Sequence, residues 1–179
     1  YSKASGPITH TGNPFDIAIQ GDGYFGIAVP GGTAYTRDGR MTLSPNGELL
    51  TVSGQAVLDQ GGASIKLNAD RGNLRILRNG VIEQGDQRVA TIGLFNLPAE
   101  AVRSRYDGAS FLSNIPAVPV TDFVASGVSQ GVVEGSNANP VLEIAKLMEI
   151  SRQFEAMSNG IDSSNRRLSD ALKTLSGAR

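Results

Sequence analysis

The chain contains no cysteine and no tryptophan, and its single histidine is His10. Without cysteine, disulfides, thiol catalysis and thiolate metal sites are excluded, and the absence suits a protein exported without disulfide help. A lone histidine, with no cysteine beside it, leaves neither a zinc site nor a catalytic triad to build. An excess of either charge is missing too, since 16 Lys and Arg face 17 Asp and Glu. That balance argues against nucleic acid or an anionic membrane as the main partner. No apolar run approaches the roughly 18–20 residues that span a bilayer, so membrane insertion through a helix is not expected. The length of 179 residues is ample for a real core in one or two domains. The start at Tyr1 rather than methionine predicts a piece of a longer or processed chain.

What is present divides at Gly135, where the apolar period changes from two to about three and a half. After the turn at Ser136 and Asn137, Asn139 is placed to cap free backbone N–H groups and Pro140 suits the first helical position. Glu143 follows in the first turn, where the helix dipole favours negative charge. One set of heptad positions, Leu147, Phe154, Ile161, Leu168 and Leu175, is apolar throughout. The other set, Ile144, Ser151, Ser158, Asn165 and Leu172, is apolar only at its ends. Met148, Ile150, Met157 and Ala171 widen the stripe. This is a coiled-coil seam with a polar middle, and such a seam calls for a partner helix.

A continuous helix from Pro140 to Leu175 would run on the order of 50 Å at 1.5 Å per residue. The preceding chain would form a body with a radius of gyration of only ~14 Å. Burying the large seam residues would yield roughly 10–20 kcal/mol at ~1.5–3 each, but only against another apolar surface. No second long amphipathic helix appears upstream. The expected partner is therefore another chain or a segment outside this one.

Residues 1–10 are polar, with Gly6-Pro7, and read as an extended arm or loop. From Phe15 onward short alternating segments recur between turn signals such as Gly21-Asp22-Gly23, Asp38-Gly39, Asn46-Gly47, Ser53-Gly54, Gly61-Gly62 and Asn79-Gly80. Asp-Gly and Asn-Gly predict two-residue hairpin turns, which need positive φ at both central residues. Strands are predicted near 16–20, 23–29, 33–37, 40–44, 48–52, 55–58, 64–67, 74–77, 80–83 and 88–96, with a further extended stretch at 127–134. Residues 98–106 predict a short helical turn through Ala99, Val102 and Tyr106, and 113–119 a proline-marked loop. The fold class expected is α+β. A mainly antiparallel, hairpin- and meander-rich β domain over 1–135 is followed by a long C-terminal amphipathic helix over 136–179.

No constellation of side chains rises to a catalytic site. Asp16, Asp22, Asp38, Asp59 and Glu48 could supply the paired carboxylates of a glycoside hydrolase. However, Asp22, Asp38 and Asp59 adjoin glycines at turns, where aspartate is favoured for local backbone hydrogen bonding. Gly21-Asp22-Gly23 lacks the rest of a phosphate-loop pattern and leads into a strand. Arg71, Arg75, Arg78 and Arg88 have intervening acids and no aromatic interleaving, so a solvated face is the default. No cofactor is implied.

Two blocks carry a resemblance. The first is Thr11-Gly12-Asn13-Pro14-Phe15-Asp16-Ile17-Ala18-Ile19-Gln20-Gly21-Asp22-Gly23-Tyr24-Phe25, followed by Ala34-Tyr35-Thr36-Arg37-Asp38-Gly39 and Asn46-Gly47-Glu48-Leu49. The second is Glu134-Gly135-Ser136-Asn137, then Glu143, then Ser151-Arg152-Gln153-Phe154-Glu155. Together they bracket nearly the whole chain and resemble the axial proteins of the bacterial flagellum, specifically the basal-body rod proteins. The compact middle is similar to proximal rod members more than to distal rod or hook members, which carry longer inserts. Ala138 departs from the family's usual valine, and Gly160 sits mid-helix, where glycine costs about 1 kcal/mol against alanine and favours a kink.

The resemblance implies a non-enzymatic structural subunit of the torque-transmitting driveshaft, exported through the flagellar type III apparatus to the periplasmic rod. It implies as partners other copies of itself and other rod and hook axial proteins. It also implies an N-terminal helix, preceding Tyr1, as the coiled-coil mate, and a β domain forming the outer layer. The candidate assembly residues are Asn137, Ile144, Leu147, Met148, Phe154, Ile161, Leu168, Leu172 and Leu175. The rival from another class is a β-rich cell-wall glycan-binding or hydrolytic domain with the helix as tether.

Overall fold

The computed structural model describes residues 5–68, 72–98, 100–104 and 110–177, with the backbone alone at 103 and 173–175. Contacts divide the chain into two units, Tyr1–Asn137 and Ala138–Arg179. The first is built from β1 (Ile8–His10), β2 (Ile17–Gln20), β3 (Tyr24–Val29), β4 (Gly32–Thr36), β5 (Met41–Leu43) and β6 (Leu49–Thr51). It continues with β7 (Leu74–Ile76), β8 (Val81–Gln84), β9 (Gln87–Thr91), β10 (Leu94–Asn96) and β11 (Val102–Arg103). Last come β12 (Ser110–Leu112), β13 (Val118–Pro119), β14 (Gly127–Gln130) and β15 (Val132–Glu134). The second unit holds α1 (Pro140–Ser176).

All paired strands run antiparallel. The widest sheet has the order β11-β12-β4-β3-β10-β13, and β7-β8-β9 form a meander. The remaining pairs are β5-β6, β14-β2 and β1-β15. The last two join opposite ends of the unit: Thr9 faces Val133 and Ile19 faces Val128. Between the sheets lies a core that includes Ile17, Ile19, Phe25, Leu49, Ile65, Ile82, Ile92 and Leu94. In β2 both faces are buried, since Ala18 is covered as well as Ile17 and Ile19.

The turns differ from the two-residue type expected. Among the described residues no non-glycine has positive φ, so neither Asn46 nor Asn79 adopts the left-handed conformation that type requires. Instead Ser44 N–H donates to Glu48 O and Gly47 N–H to Ser44 O, closing a three-residue loop with Gly47 at φ 78°. The same paired bonds recur at Thr51–Gln55, Asp59–Ala63 and Leu77–Val81, with Gly54, Gly62 and Gly80 at φ 84°, 84° and 79°. This is the three-residue hairpin whose last loop residue is left-handed, so a single glycine suffices.

Asp38-Gly39 is not a hairpin turn at all. Gly39 lies against β2, where its carbonyl accepts Ile17 N–H at 2.9 Å and a Cβ would meet Ile17 O. The glycine permits close backbone approach rather than an unusual φ.

Other expectations fail because pairing or close approach to another segment decides the element. Ile8–His10, read as an arm, is a strand because β15 satisfies its backbone. Ala101 N–H donates to Pro98 O, and Val102–Arg103 then pairs with Phe111 and Leu112 rather than continuing a helix. Ala99 and Tyr106 lie outside the described residues. Val118–Pro119, read as loop, pairs with Phe95 and Asn96 on a sheet edge, where proline's missing N–H is tolerated. Residues 88–96 split at Gly93, where a Cβ would sit 2.6 Å from Asp59 O. Segments 55–58 and 64–67 contribute isolated bridges, including Ile27 to Val57, rather than full strands.

Two predictions follow from the Asp38–Arg40 corner. Gly39→Ala should destabilise the sheet unit by about 2–4 kcal/mol, because it forces the β2 backbone away and breaks a buried bond. An unchanged denaturant midpoint would contradict this. Asp38 accepts Arg40 Nε and Nη2 at 2.9 and 2.6 Å, and chiefly these bonds hold its carboxyl below the usual aspartate range, against an opposing effect of burial. Stability from a depressed carboxylate pKa is present above the unfolded-state value and lost as pH falls through the folded-state value. Asp38→Asn should therefore lower stability near neutral pH by less than ~1 kcal/mol, given the solvent screening of this exposed pair. The difference from wild type should close as pH falls below about 4, the unfolded-state aspartate value; an undiminished gap in urea titrations at the acid end would refute the assignment.

Candidate functional site

Four of the five carboxylates weighed above as catalytic groups, all but Asp22, are occupied in local structure. Asp59 Oδ1 accepts Gly61 and Ala63 N–H at 2.8 Å each, holding its loop. Asp38 is bound to Arg40, and Glu48 pairs with Lys66 at 3.5 Å. Asp16 accepts Asn13 Nδ2–H at 3.1 Å. Asp22 lines a cavity of about 650 Å³ together with Asp122, Tyr24 and Phe111. Asp122 Oδ1 there accepts Val124 N–H at 2.9 Å, the turn-holding role that aspartate plays elsewhere in this unit.

Most of the exposed large apolar residues lie elsewhere, on α1. α1 begins as its sequence dictates: Asn139 Oδ1 accepts Val141 and Leu142 N–H at 3.0 and 3.4 Å, and Asn139 O accepts Glu143 N–H. This cap satisfies donors that no preceding helical turn can serve. Lys146 Nζ reaches Glu143 at 2.9 Å on the outer surface, a pair worth only a few tenths of a kcal/mol. The helix then continues through Gly160 to Ser176 without interruption. A Cβ at Gly160 would meet nothing within 4 Å.

Each described seam residue is open to solvent. Leu147 is 66%, Phe154 73%, Ile161 62% and Leu168 60% exposed, and Ile144, Met148 and Leu172 are similar. The side chain of Leu175 lies outside the described residues. Asn137 stands apart from the others, before α1, at the end of the sheet unit. Ser151, Ser158 and Asn165 interrupt one side of the stripe, as polar residues at core heptad positions do. Among the described residues no helix is long and apolar enough to cross a membrane.

A contact absent from sequence reasoning lies at the other end of the motif blocks. Arg37 and Glu134, from the two separate blocks, form an ion pair with Nε to Oε2 at 2.9 Å. Both had been visible only as members of their own motifs, and the signal that could have linked them is the pairing of β1 with β15.

Comparisons with known proteins agree with both halves of this picture. Residues 18–84 match the flagellar hook protein FlgE/F/G D1 domain, and residues 129–174 match the C-terminal family of flagellar basal body rod FlgEFG proteins. The chain is 42% identical to a flagellar basal-body rod protein FlgF of Mesorhizobium japonicum, covering 97% of this chain and 72% of that relative. It is 39% identical to a FlgF of Rhizobium meliloti, covering 99% and 74%. A flagellar basal-body rod protein FlgG of Buchnera aphidicola is 31% identical, over 91% and 66%. A glycan-directed reading is not favoured by any of these. Sheet unit, terminal helix and both motif blocks lead to one conclusion: the chain belongs to the flagellar basal-body rod proteins, of the FlgF type, and is a structural subunit of the rod in the basal body.

Proposed function

We propose that α1 is the element through which the subunit joins the rod, and that it acts by packing its apolar seam against a helix of the same assembly. The observation that carries this is a capped helix whose leucine, isoleucine and phenylalanine stripe is exposed over its length. A helix has no second surface of its own to cover such a stripe, and apolar burial at ~1.5–3 kcal/mol per large side chain is the driving force available. The mate is the N-terminal helix that family members carry, from the same or a neighbouring copy. Asn137, Ile144, Leu147, Met148, Phe154, Ile161, Leu168, Leu172 and Leu175 form the contact. Ser151, Ser158 and Asn165 set its register, because a buried polar group matched with another polar group disfavours slipped alignments.

In this reading residues 1–135 form the outer layer and residues 136–179 the inner layer of a tube exported through the flagellar apparatus. Copies stack head to tail, since an open helical array needs two different complementary patches on each subunit. The subunit transmits torque and performs no catalytic step.

Placing a charge in the seam tests the proposal. Phe154→Asp or Ile161→Asp in the intact gene should abolish motility and leave no rod beyond the point of this subunit's entry. Desolvating an unpaired carboxylate costs several kcal/mol, more than one seam contact returns. The purified variants should keep the wild-type unfolding midpoint of the sheet unit. A motile strain carrying either substitution would overturn the proposal.

A further inference from the structure

Arg37 makes a set of contacts out of proportion to its place on a surface strand end. Its Nε donates to Glu134 Oε2 at 2.9 Å, and Nη1 donates to Gly21 O and Gly23 O at 3.1 Å each. Nη2 donates to Ile19 O and to Ser5 Oγ at 3.3 Å each. These contacts occupy all five N–H donors of a guanidinium. Tyr24 adds its ring face, 5.9 Å from Arg37 Cζ. Glu134 is equally committed: its side chain is 9% exposed, and Oε1 accepts Gly6 N–H at 3.0 Å.

The segments gathered there are the two ends of the sheet unit. Gly135 N–H donates to Pro7 O at 2.8 Å, and the backbones of Gly6 and Gly135 touch so closely that a Cβ on Gly6 would collide with Gly135 O. The strand pair β1-β15 leads directly into this point, with Ile8 opposite Glu134. β1 itself is exposed along its length, so little apolar burial holds it in place. Its attachment depends on the ladder and on the ion pair.

We propose that Arg37 and Glu134 are a latch that fixes where both chain ends leave the sheet unit, making Arg37 a positioning residue for rod assembly. The latch ties the entering segment at Ser5 and Gly6 and the leaving segment at Glu134 to the rigid β2–β3 turn. Only a planar, five-donor cation can serve these acceptors together. Lysine carries the same charge on three donors from a single point and cannot span them. The positioning role rests on the reading of α1 as the assembly element; the latch does not.

The test uses the full chain and two variants. In Arg37→Lys, amide exchange followed by NMR should accelerate about tenfold or more at Gly6, Gly135 and the β1-β15 ladder. Amides held in the core, such as Ile17, Ala28 and Val57, should change by less than about threefold. Glu134→Gln should give the same local pattern, because it removes the charge while retaining an acceptor for Gly6. A strain carrying Arg37→Lys should incorporate less subunit into basal bodies, although α1 is unaltered. Unchanged exchange at Gly6 and Gly135, or equal acceleration at every amide, would overturn the latch. Local release with normal incorporation would overturn the positioning role and leave the reading of α1 intact, since that reading is tested separately by Phe154→Asp.

Discussion

The sheet unit depends on one constraint: it is closed by its own two ends. β1 and β2 pair with β15 and β14, so the first strands cannot be completed until the last have been made. Between them, Gly131 O accepts Thr11 and Gly12 N–H while Gly131 N–H donates to Asp16 O. Closing a loop of more than a hundred residues costs several kcal/mol of chain entropy, though the cost grows only slowly with length. Core burial and the β2-β14 ladder offset that cost, and β2, with both faces covered, anchors the closure. Contacts this distant in sequence also make slow, late pairing of the ends the expected order of folding.

The consequence for function is a division of labour between two kinds of stability. The sheet unit holds most of its large apolar residues inside, with Phe25, Ile27 and Leu94 fully covered. α1 holds its apolar residues outside. On the proposed reading such a subunit has a finished part and an unfinished part, and the unfinished part would give association its driving force. Charge contributes little by comparison, because the ion pair at the start of α1 is exposed and screened. On the same reading specificity would reside in shape and in the polar interruption at Ser151, Ser158 and Asn165.

Much of this was legible in the sequence, and the failures have a common cause. α1 was legible because cap, first-turn acid and seven-residue repeat all lie within one stretch and reinforce one another. The hairpins around Gly47 and Gly80 were legible for the same reason, although their loops contain three residues rather than two. Ile8–His10, Val102–Arg103 and Val118–Pro119 were not. Each is a short strand with no alternation of its own, and only a partner distant in sequence or at a sheet edge makes it a strand. A glycine needed for close approach, such as Gly39, looks the same in sequence as one needed for a turn. Of the proposed assembly surface, the apolar stripe could be read residue by residue. The junction of Arg37 with Glu134 could not, since it depends on the fold bringing two motifs together.

The central claim is that α1 is stabilised by association rather than by its own chain. Hydrogen exchange with mass-spectrometric readout of the segment 144–172 tests it most directly, comparing the dilute monomer with subunits inside isolated basal bodies. The account predicts rapid exchange across that segment in the monomer, beside a slowly exchanging sheet unit, and strong protection in the basal body. Strong protection of 144–172 in a monodisperse monomer would contradict it.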